Sequence, residues 1–566
     1  MMNLQDGRLG SCDSPSPITR TYDRDHPYHF AWRDPPSVSP EELIVGPSLR
    51  RMSKRSPFPA CYLPPRVSVN ACYIFDKCGM AQERIELLSK YHRSWITKDT
   101  LRSATLGYGS VKYATKFEDE ILRESVLSVR DEFRDKLAAP LKSWTVEKVI
   151  EQGALPKMTS PGLPYIQRGY RTKKDVWDEC KTEIINKHQA VRKGQHVTFP
   201  DCAAMSRSAV STSDKNKTRL VWSYPLDIVL LESKYVQPLL LAMIEQKIGT
   251  SVAYGAETQR GGMKWLNHQL NKLPDMSYLC LDFSAFDQTI PAWLIRIAFD
   301  ILEECFDIHT VEEVNGERKT DAITISREWK AIRDYFINTP IRMEDGTRFK
   351  KTGGVPSGSC FTNLVDSIVN LIVVRYCIKA TTNFWPSFLC VLGDDSVTAT
   401  LGNVNLHNIA ECAKDCFGMI VNVEKSYWTS SPQNVQFLGY YNYHGYPMRD
   451  EEPMLAGLLL PDSNVDESLG LTAARFLGIA QAMCGSSAKI VYLCNRLFLE
   501  LKVKGLDMAN DAKKLYHIRK MHGWLPAAGE DGSVPPTLCC TIKQHDSMEK
   551  SSTISAVLRA YHPLWE

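Results

Sequence analysis

The clearest hydrophobic pattern lies in the middle of the chain, where short apolar runs alternate with amphipathic stretches. Residues 278–281 form a continuous apolar run, which predicts a short buried strand that ends at Asp282. Residues 291–306 carry apolar side chains three and four positions apart, the spacing of a helix with one buried face. Pro291 suits the start of that helix, because its fixed backbone angle is already helical.

A second pair of apolar runs, 388–392 and 396–400, flanks a turn made of Gly393, Asp394 and Asp395. Two such runs joined by a short glycine-containing turn predict a β-hairpin. Both aspartates would then lie at the tip of the hairpin. We therefore expect the turn to expose two carboxylates at the edge of a sheet.

The rest of the chain shows weaker patterns. The first 65 or so residues are rich in proline, serine and charge, which predicts an extended arm. Residues from about 80 to 275 predict mixed helices and loops. Further along, the pattern predicts a helix over 403–418, a strand over 419–423, the start of a hairpin over 435–441, and mainly helices after about 445.

Size and charge change this picture only modestly. A chain of 566 residues exceeds what one hydrophobic core usually organises, so about two or three subdomains are expected. The 68 basic residues are nearly balanced by 65 acidic ones, so any surface that attracts a polyanion must be local. Basic residues are concentrated between 168 and 219, a stretch that indicates either a phosphate-binding surface or a solvated helix face.

Cysteines and apolar runs indicate the compartment. The 17 cysteines are scattered without a disulfide framework, which predicts reduced thiols. The best candidate for a membrane span, residues 225–244, contains Glu232 and Lys234, so we expect no contact with a membrane. A reducing, aqueous compartment follows, such as the cytoplasm or a particle assembled there.

The predicted strand ends would bring acidic groups together. If the strand before Asp282 lies beside the hairpin, its carboxylate meets those of Asp394 and Asp395. Carboxylates from separate segments that converge on one point are typical of sites that hold two divalent cations for phosphoryl transfer. Hard oxygen ligands favour Mg²⁺. A Gly-Asp-Asp sequence alone is weak evidence, because it also occurs in plain turns.

Further segments make a coincidental turn a poor explanation. The segments are Thr159-Ser160-Pro161-Gly162-Leu163-Pro164, Lys215-Asn216-Lys217-Thr218-Arg219, Asp282-Phe283-Ser284-Ala285-Phe286-Asp287, Gly353-Gly354-Val355-Pro356-Ser357-Gly358-Ser359 with Thr362, Gly393-Asp394-Asp395, Lys425 and Phe437-Leu438-Gly439. In this order they resemble the motifs of viral RNA-dependent RNA polymerases. The surrounding residues resemble the polymerases of small double-stranded RNA viruses, the picobirnaviruses and partitiviruses.

The resemblance implies roles for individual residues. Asp282 and Asp394 would bridge two Mg²⁺ or Mn²⁺ ions, Asp395 would be a secondary ligand, and Asp287 would accept a hydrogen bond from the ribose 2′-hydroxyl. Lys425 would protonate the departing pyrophosphate. The triphosphate would be bound by Arg219, Lys217, Lys215 and Arg207, and template or nucleotide would pass Thr159, Ser160, Gly162, Gly353, Gly354 and Gly358.

One position departs from the commonest pattern of the family. Four residues after Thr362, where many relatives have asparagine, this chain has Asp366. Two carboxylates, Asp287 and Asp366, could share one ribose only if one of them is protonated, or if Ser357 or Thr362 lies between them. The residues that sense the ribose are therefore an open question at this point.

The resemblance also implies an architecture, an α/β (α+β) fold shaped like a right hand. Its antiparallel palm sheet would have flanking helices, and its thumb would be mostly helical. We expect an N-terminal bridge between fingers and thumb over 1–80, fingers over 81–275 and 307–350, palm over 276–306 and 351–444, and thumb over 445–566. Synthesis would start without a primer, and a loop over 529–536 is the candidate support for the first nucleotide.

The implied partners are an RNA template and product, ribonucleoside triphosphates and a viral capsid protein, inside the virion or in the host cytoplasm. Two alternatives stay open from sequence alone. A reverse transcriptase uses the same aspartate geometry, although a carboxylate at Asp287 argues for ribose acceptance. A non-catalytic RNA-packaging or shell protein would not need the aspartates at all.

Overall fold

The structure is a computed structural model, and it describes part of the chain. The described residues are 37–503 except for 41–42, 61, 63–64, 111–115, 138–139, 154, 156, 158, 213–215, 246–249, 257, 259–260, 462–468 and 485. Lys215, the candidate loop over 529–536 and most of the predicted N-terminal arm therefore lie outside the described residues.

Helices account for about half of the described residues. Their bounds are α1 Val69–Lys77, α2 Ala81–Lys90, α3 Lys98–Leu106, α4 Glu120–Lys136, α5 Val146–Glu151, α6 Lys173–Arg192, α7 Leu226–Glu245, α8 Gly262–Asn271, α9 Phe286–Thr289, α10 Ala292–Glu303, α11 Ala322–Ile337, α12 Thr362–Thr382, α13 Leu406–Phe417, α14 Glu451–Leu459, α15 Leu469–Ala482 and α16 Ala488–Val503. Short 3₁₀ turns span Gly107–Ser110, Tyr165–Arg168 and Pro432–Asn434.

Strands are short and form several small sheets. Their bounds are β1 Leu49–Met52, β2 Tyr91–Arg93, β3 Leu141–Trp144, β4 Cys202–Arg207, β5 Val210–Thr212, β6 Arg219–Ser223, β7 Ser277–Leu281, β8 Phe283–Ser284, β9 Phe306–Glu313, β10 Gly316–Lys319, β11 Pro340–Arg342, β12 Arg348–Lys351, β13 Phe388–Leu392, β14 Asp395–Thr400, β15 Ile420–Val421, β16 Tyr427–Thr429, β17 Gln436–Phe437, β18 Tyr440–Tyr443 and β19 Tyr446–Met448. The sheet orders are β13-β14-β7-β16, β1-β12-β11-β4-β6, β10-β9-β3, β17-β18-β19, β15-β8 and β2-β5.

The sheet β13-β14-β7-β16, here called the central sheet, is antiparallel throughout. Its strand β7 is buried on both faces, which explains why its sequence is a continuous apolar run. Leu279 and Leu281 pack into the large core with helices α10 and α12, whereas Tyr278 and Cys280 pack into a second core with helix α8. The central sheet is thus fixed between two layers of helix.

Predictions made from local pattern are confirmed in this region. Strand β7, helix α10, the hairpin β13-β14, helix α13 and the strands β15, β17 and β18 lie where the pattern places them, whereas β16 was not predicted. Helix α10 begins directly after Pro291, as expected for that residue. After 445 the described residues are mainly helical, apart from β19. The fold is a mixture of helix and strand, in agreement with the predicted class.

The five-stranded sheet β1-β12-β11-β4-β6 was not predicted. Its strands come from residues 49 to 351, and β11 pairs with β4 in parallel while the other pairs are antiparallel. Asp201, which is 1% exposed, lies under this sheet between Arg342 and Arg348, with N···O distances of 2.6 and 2.7 Å. This buried ion cluster joins strands that local pattern cannot connect.

The segment after residue 43 connects two distant parts of the fold. Strand β1 pairs with β12 in the five-stranded sheet, and helix α1 packs against helices α14, α15 and α16. The amide of Ser68 donates a hydrogen bond to the carbonyl of Leu459 (2.8 Å), which fixes the start of α1 to the end of α14. One continuous segment therefore contacts both the five-stranded sheet and the C-terminal helices.

The expectations of reduced cysteines and of no membrane-spanning segment can be compared with the described residues. All of the described cysteines are free thiols. None of the described helices combines the length and the apolar character that a membrane crossing requires. In helix α7, the most apolar of the long helices, Glu232 and Lys234 are both buried and both have polar partners.

We predict that Asp201→Ala destabilises the protein by about 3 to 5 kcal/mol, because two buried guanidinium groups lose their counter-charge. Thermal unfolding followed by circular dichroism measures the effect. Asp178→Ala is the matched control, since it removes an exposed i,i+4 pair with Lys174 and should change little. Equal effects for both substitutions would contradict the importance of the buried cluster.

Candidate active site

The three predicted aspartates lie at one corner of the central sheet because of its strand register. Leu281 of β7 pairs with Ser396 of β14, so the next step of the same register places Asp282 beside Asp395. Neighbouring strands lie about 4.8 Å apart. Asp394 occupies the turn just before Asp395, and all three side chains are exposed. The structure thus brings together the carboxylates that the sequence separates by more than a hundred residues.

The Gly393-Asp394-Asp395 turn is held from below by helix α12. The amide of Gly393 donates to Ser367 Oγ (2.9 Å), and Asn370 Nδ2 donates to the carbonyl of Gly393 (3.0 Å) and, at 3.4 Å, to that of Asp395. Gly393 has a φ of +64°, a conformation that favours glycine. The turn therefore has a fixed conformation, supported by two buried side chains that lie one helical turn apart.

The backbone of Asp282 is fixed from the other side by residues 422–426. Its amide donates to Ser426 Oγ (2.9 Å), and its carbonyl accepts from the amide of Asn422 (2.8 Å). Lys425 Nζ lies 3.9 Å from Asp282 Oδ2, and both side chains remain about half exposed or more. Lys425 is therefore placed next to the carboxylates, as its motif predicts.

The carboxylates repel one another. Partial desolvation, then Asp394 and Asp282, raise the pKa of Asp395 to about 6. Among the described residues, no three His, Cys, Asp or Glu side chains converge closely enough to form a ready metal site. The corner is thus a crowded acidic cluster in which Asp282 faces Lys425.

A group of cations lies on strands β4 and β6 and just before β6. Arg207 and Arg219 are direct cross-strand partners in the pair β4-β6, and both are exposed. Like charges placed opposite each other destabilise a sheet, so this pair favours a bound anion. Partial burial, then Arg219 and Lys425, lower the pKa of Lys217, while Asp282 and Asp394 act in the opposite direction. Lys217 and Arg219 therefore share one electrostatic neighbourhood with the aspartates.

Asp287 and Asp366, the two carboxyl groups that could share one ribose, lie close to each other. Asp287 accepts a hydrogen bond from the hydroxyl of Tyr108 (2.6 Å), and burial, offset by that bond, raises the pKa of Asp287. Burial, then Asp287 and Asp394, raise the pKa of Asp366 well above its ordinary value. The buried Oδ1 of Asp366 has no hydrogen-bond partner among the described residues. Burial therefore favours the neutral form of Asp366.

Ser357 and Thr362 make other contacts. Ser357 Oγ donates to the carbonyl of Leu220 (3.2 Å), which links it to strand β6. Thr362 Oγ1 lies 2.7 Å from the carbonyl of Pro356 and 2.9 Å from that of Ser359, so it stabilises the start of helix α12. Both hydroxyls are thus used to fix the backbone of the glycine-rich loop, residues 353–359. Their predicted contact with nucleotide stays a prediction.

The glycine-rich loop has no space for larger residues at two positions. A Cβ on Gly358 would lie 1.6 Å from the carbonyl oxygen of Trp222, and one on Gly354 would lie 2.9 Å from the ring of Tyr108. Gly353 is buried beside them. The loop is therefore packed tightly against strand β6 and Tyr108, and is not an open flexible loop.

Two buried ionisable side chains hold the ends of this loop. Lys351 Nζ donates to the carbonyls of Gly354 (2.7 Å), Ile337 (3.1 Å) and Phe336, so it also lies at the negative C-terminal end of helix α11. Glu232 accepts from the amide of Cys360 (2.7 Å) and the hydroxyl of Ser359 (2.8 Å). These hydrogen bonds tie the position of the loop to the core.

The predicted template-entry segment lies beside the same strand. Thr159 and Ser160 are exposed, and Thr159 Oγ1 accepts from Lys173 Nζ (3.0 Å). Gly162 has a φ of +73°, and a Cβ there would lie 2.5 Å from the carbonyl oxygen of Tyr224. Small residues thus let this segment approach the end of β6 closely.

The basic stretch predicted between 168 and 219 is partly neutralised. On and near helix α6, Arg168 and Lys187 pair with Glu183, and Arg192 pairs with buried Glu328. Lys217 and Arg219, which share the electrostatic neighbourhood of the aspartates, lie at the C-terminal end of the stretch. The sequence indicated the charge but not which part of it serves the site.

Several site residues were missed from sequence. Tyr108, Lys351, Glu232 and Asn370 lie outside the motif segments quoted above. A charged residue within an otherwise apolar helix was the one usable signal, and it applied to Glu232 alone. Contacts of this kind depend on residues far apart in the chain.

With the geometry established, comparison with known proteins decides the family. A family model described as viral RNA-dependent RNA polymerase matches residues 126–458, more than half of the chain. The chain belongs to this family. Its enzyme class is accordingly RNA-directed RNA polymerase, which disfavours both the reverse transcriptase and the non-catalytic shell protein.

Individual relatives agree with this assignment. The chain is 28% identical over 409 residues to the RNA-directed RNA polymerase of Cryptosporidium parvum virus 1, covering 68% of this chain and 73% of that one. It is 28% identical to the polymerase of White clover cryptic virus 1 (53% of this chain, 51% of that one) and 27% identical to that of Atkinsonella hypoxylon virus (52% and 49%). The matches thus span about half the length of these two relatives.

The fold is also that of solved polymerases. The structure resembles the RNA-dependent RNA polymerase of a human picobirnavirus with a TM-score of 0.56 at 16% identity, covering 78% of this chain and 84% of that one. An insertion-loop deletion mutant of the same protein gives the same TM-score over 81% of this chain and 87% of that one, at 15% identity. The predicted right-handed polymerase fold is therefore confirmed.

We predict that the stability of the polymerase depends on pH through Glu232, whose pKa burial raises from about 4.5 to about 8. The folded state then binds a proton that the unfolded state releases, so stability is lost as pH rises from about 4.5 to about 8. In Glu232→Gln this loss is absent. The difference in the free energy of unfolding between wild type and variant should change by up to about 1.4 kcal/mol per pH unit.

Thermal melting at pH 5, 6, 7 and 8 measures this difference, and Glu86→Gln is the control because Glu86 is exposed. We expect the melting temperature of Glu232→Gln to rise relative to that of wild type as pH increases. The melting temperature of the control should change with pH in the same way as that of wild type. Parallel curves for Glu232→Gln and wild type would refute the prediction.

Proposed function

We propose that this polymerase joins ribonucleotides on an RNA template by two-metal nucleotidyl transfer at Asp282 and Asp394, with Asp395 as a secondary ligand. The single observation that carries the proposal is the register of β7 and β14, which places Asp282 beside Asp395 at the end of the hairpin. Family membership supplies the reaction, and this corner is the place for it.

The donor set of the corner suits Mg²⁺ or Mn²⁺, because it offers hard carboxylate oxygens on a rigid sheet. The repulsion that raises the pKa of Asp395 is the kind that divalent cations relieve. When bound, two such cations would stabilise the charge that develops on the transferred phosphoryl group. The Gly393 turn and residues 422–426 hold the carboxylates in place before substrate arrives.

The residues around the corner have distinct tasks in this proposal. Arg219, Arg207 and Lys217 bind the triphosphate, since their mutual repulsion favours an anion between them. Asp287 accepts a hydrogen bond from the ribose 2′-hydroxyl. Burial favours the neutral form of Asp366, so Asp287 is the carboxylate proposed to face the ribose. Lys425 donates a proton toward the leaving pyrophosphate.

The biological setting is proposed on the family resemblance alone. The polymerase would replicate and transcribe a double-stranded RNA genome, start without a primer, and work with a capsid protein inside the virion or in the host cytoplasm. The named relatives are polymerases of viruses, which supports a viral setting.

We predict that Asp394→Asn or Asp282→Asn lowers RNA-templated incorporation of labelled ribonucleotides by about a thousandfold or more, because each removes a charge needed to hold cations. Binding of single-stranded RNA, measured by fluorescence anisotropy, should change by less than about threefold. Asp178→Asn, a neutralisation of an exposed carboxylate on helix α6, serves as the matched control. A variant at residue 394 that retains a tenth of wild-type activity would argue against the proposal.

Lys425 allows a separate test. We predict that Lys425→Gln lowers kcat by about tenfold or more with little change in KM, because proton donation contributes to the chemical step. Lys425→Arg keeps the pairing with Asp282 but does not release a proton readily, so it should not restore kcat. Full activity of Lys425→Arg in single-turnover kinetics would reduce the role of Lys425 to electrostatic pairing.

A further inference from the structure

Tyr108 lies outside the region that matches the family model, yet it reaches the candidate active site. It belongs to the 3₁₀ turn Gly107–Ser110, upstream of residue 126 where the match begins. Its side chain is 1% exposed. A segment without a recognised motif therefore places a polar group beside the predicted ribose-binding carboxylate.

The backbone of this turn is fixed by the segment just before β1. Ser48 Oγ donates to the carbonyl of Tyr108 (2.6 Å), and the amide of Ser48 donates to the carbonyl of Gly109 (3.4 Å). The two segments approach so closely that a Cβ on Gly46 would lie 2.2 Å from the carbonyl oxygen of Gly109. Tyr108 is consequently held in place from behind.

The ring of Tyr108 is fixed from two further sides. It packs edge to face against Trp222 of β6, with ring centroids 4.9 Å apart. It also occupies the space that a side chain at Gly354 would need. The ring thus touches both the basic strand β6 and the glycine-rich loop, and it has little freedom to move.

The hydroxyl of Tyr108 joins two parts of the site. It lies 2.6 Å from Asp287 Oδ2 and 3.1 Å from the carbonyl of Val355. The hydroxyl carries one proton, and the shorter distance and the carboxylate acceptor favour donation to Asp287. This bond fixes one oxygen of Asp287 and hence the plane of its carboxylate.

We propose that Tyr108 is a positioning residue that sets the preference of the polymerase for ribonucleotides over deoxyribonucleotides, by fixing the carboxylate of Asp287. The inference rests on the proposed contact between Asp287 and the ribose 2′-hydroxyl. A site built to hydrogen-bond a substrate hydroxyl rejects an analogue without it, and this rejection requires that the acceptor be held firmly. A carboxylate that can rotate loses part of that discrimination.

The nearby Asp366 does not take over the role of Tyr108. It lies close enough to influence both Tyr108 and Asp287 electrostatically, and burial favours its neutral form. A neutral acid does not attract the Tyr108 proton as a carboxylate does. Tyr108 is therefore the group that orients Asp287.

Single-nucleotide incorporation on an RNA template tests the inference, with kcat and KM measured for each ribonucleotide and its 2′-deoxy counterpart. For Tyr108→Phe we expect the ratio of kcat/KM for ribo over deoxy to fall about tenfold, through loss on the ribonucleotide side. Tyr376→Phe is the matched control, because the Tyr376 hydroxyl also donates to a carboxylate, that of Asp119, at 2.7 Å, and neither residue has a proposed role at the ribose. Its ratio should equal that of wild type.

Two further variants separate the possible results. Ser48→Ala loosens the backbone of Tyr108 without touching Asp287, and it should lower the ratio in the same direction. Asp287→Asn reports on the proposed function itself.

An unchanged ratio in Tyr108→Phe together with a lowered one in Asp287→Asn overturns the inference and leaves the proposed function standing. An unchanged ratio in Asp287→Asn overturns the ribose contact and the inference together, and an equal loss in Tyr376→Phe overturns the inference as general loosening.

Discussion

Electrostatic repulsion at one corner of the central sheet is the constraint on which the site depends. The antiparallel register of β7 and β14 places Asp282, Asp394 and Asp395 together, and their proximity contributes to the raised pKa of Asp395. Such an arrangement is unfavourable by itself, so the surrounding structure must impose it. It does so through the backbone, with hydrogen bonds from Ser367, Asn370 and residues 422–426.

The glycine-rich loop is likewise held in place by groups that are unfavourable by themselves, in this case two buried ionisable side chains. Lys351 and Glu232 are fully buried, and their hydrogen-bond partners are backbone groups and a hydroxyl, not an opposite charge. Burial without a counter-ion disfavours the charged form of each, so it lowers the pKa of Lys351 well below its ordinary value and raises the pKa of Glu232 to about 8. Hydrogen bonds near the ends of helices α11 and α12 still satisfy the polar atoms of both side chains. These bonds hold the loop in one position against the core.

How much of the fold and of the candidate site could be predicted from sequence depended on how far apart the interacting residues lie along the chain. Strand β7, helix α10 and the Gly393 turn follow from patterns within about twenty residues, so periodicity found them. The five-stranded sheet joins residue 49 to residue 351, and no local pattern reports such a pairing. The motifs located the aspartates and Lys425, whereas Asn370 and Tyr108 act through contacts that only the folded chain creates.

The modest net charge of the chain agrees with a strongly charged site, because the charges are distributed unevenly. Along helix α6, Arg168, Lys187 and Arg192 are paired with carboxylates, and such pairs contribute little to the field at a distance. By contrast, Arg207 and Arg219 oppose each other across strands β4 and β6, where their repulsion is unfavourable until an anion lies between them. Lys217 is influenced by Arg219 on one side and by Asp282 and Asp394 on the other, so the unmet positive and negative charges lie in one region of the molecule.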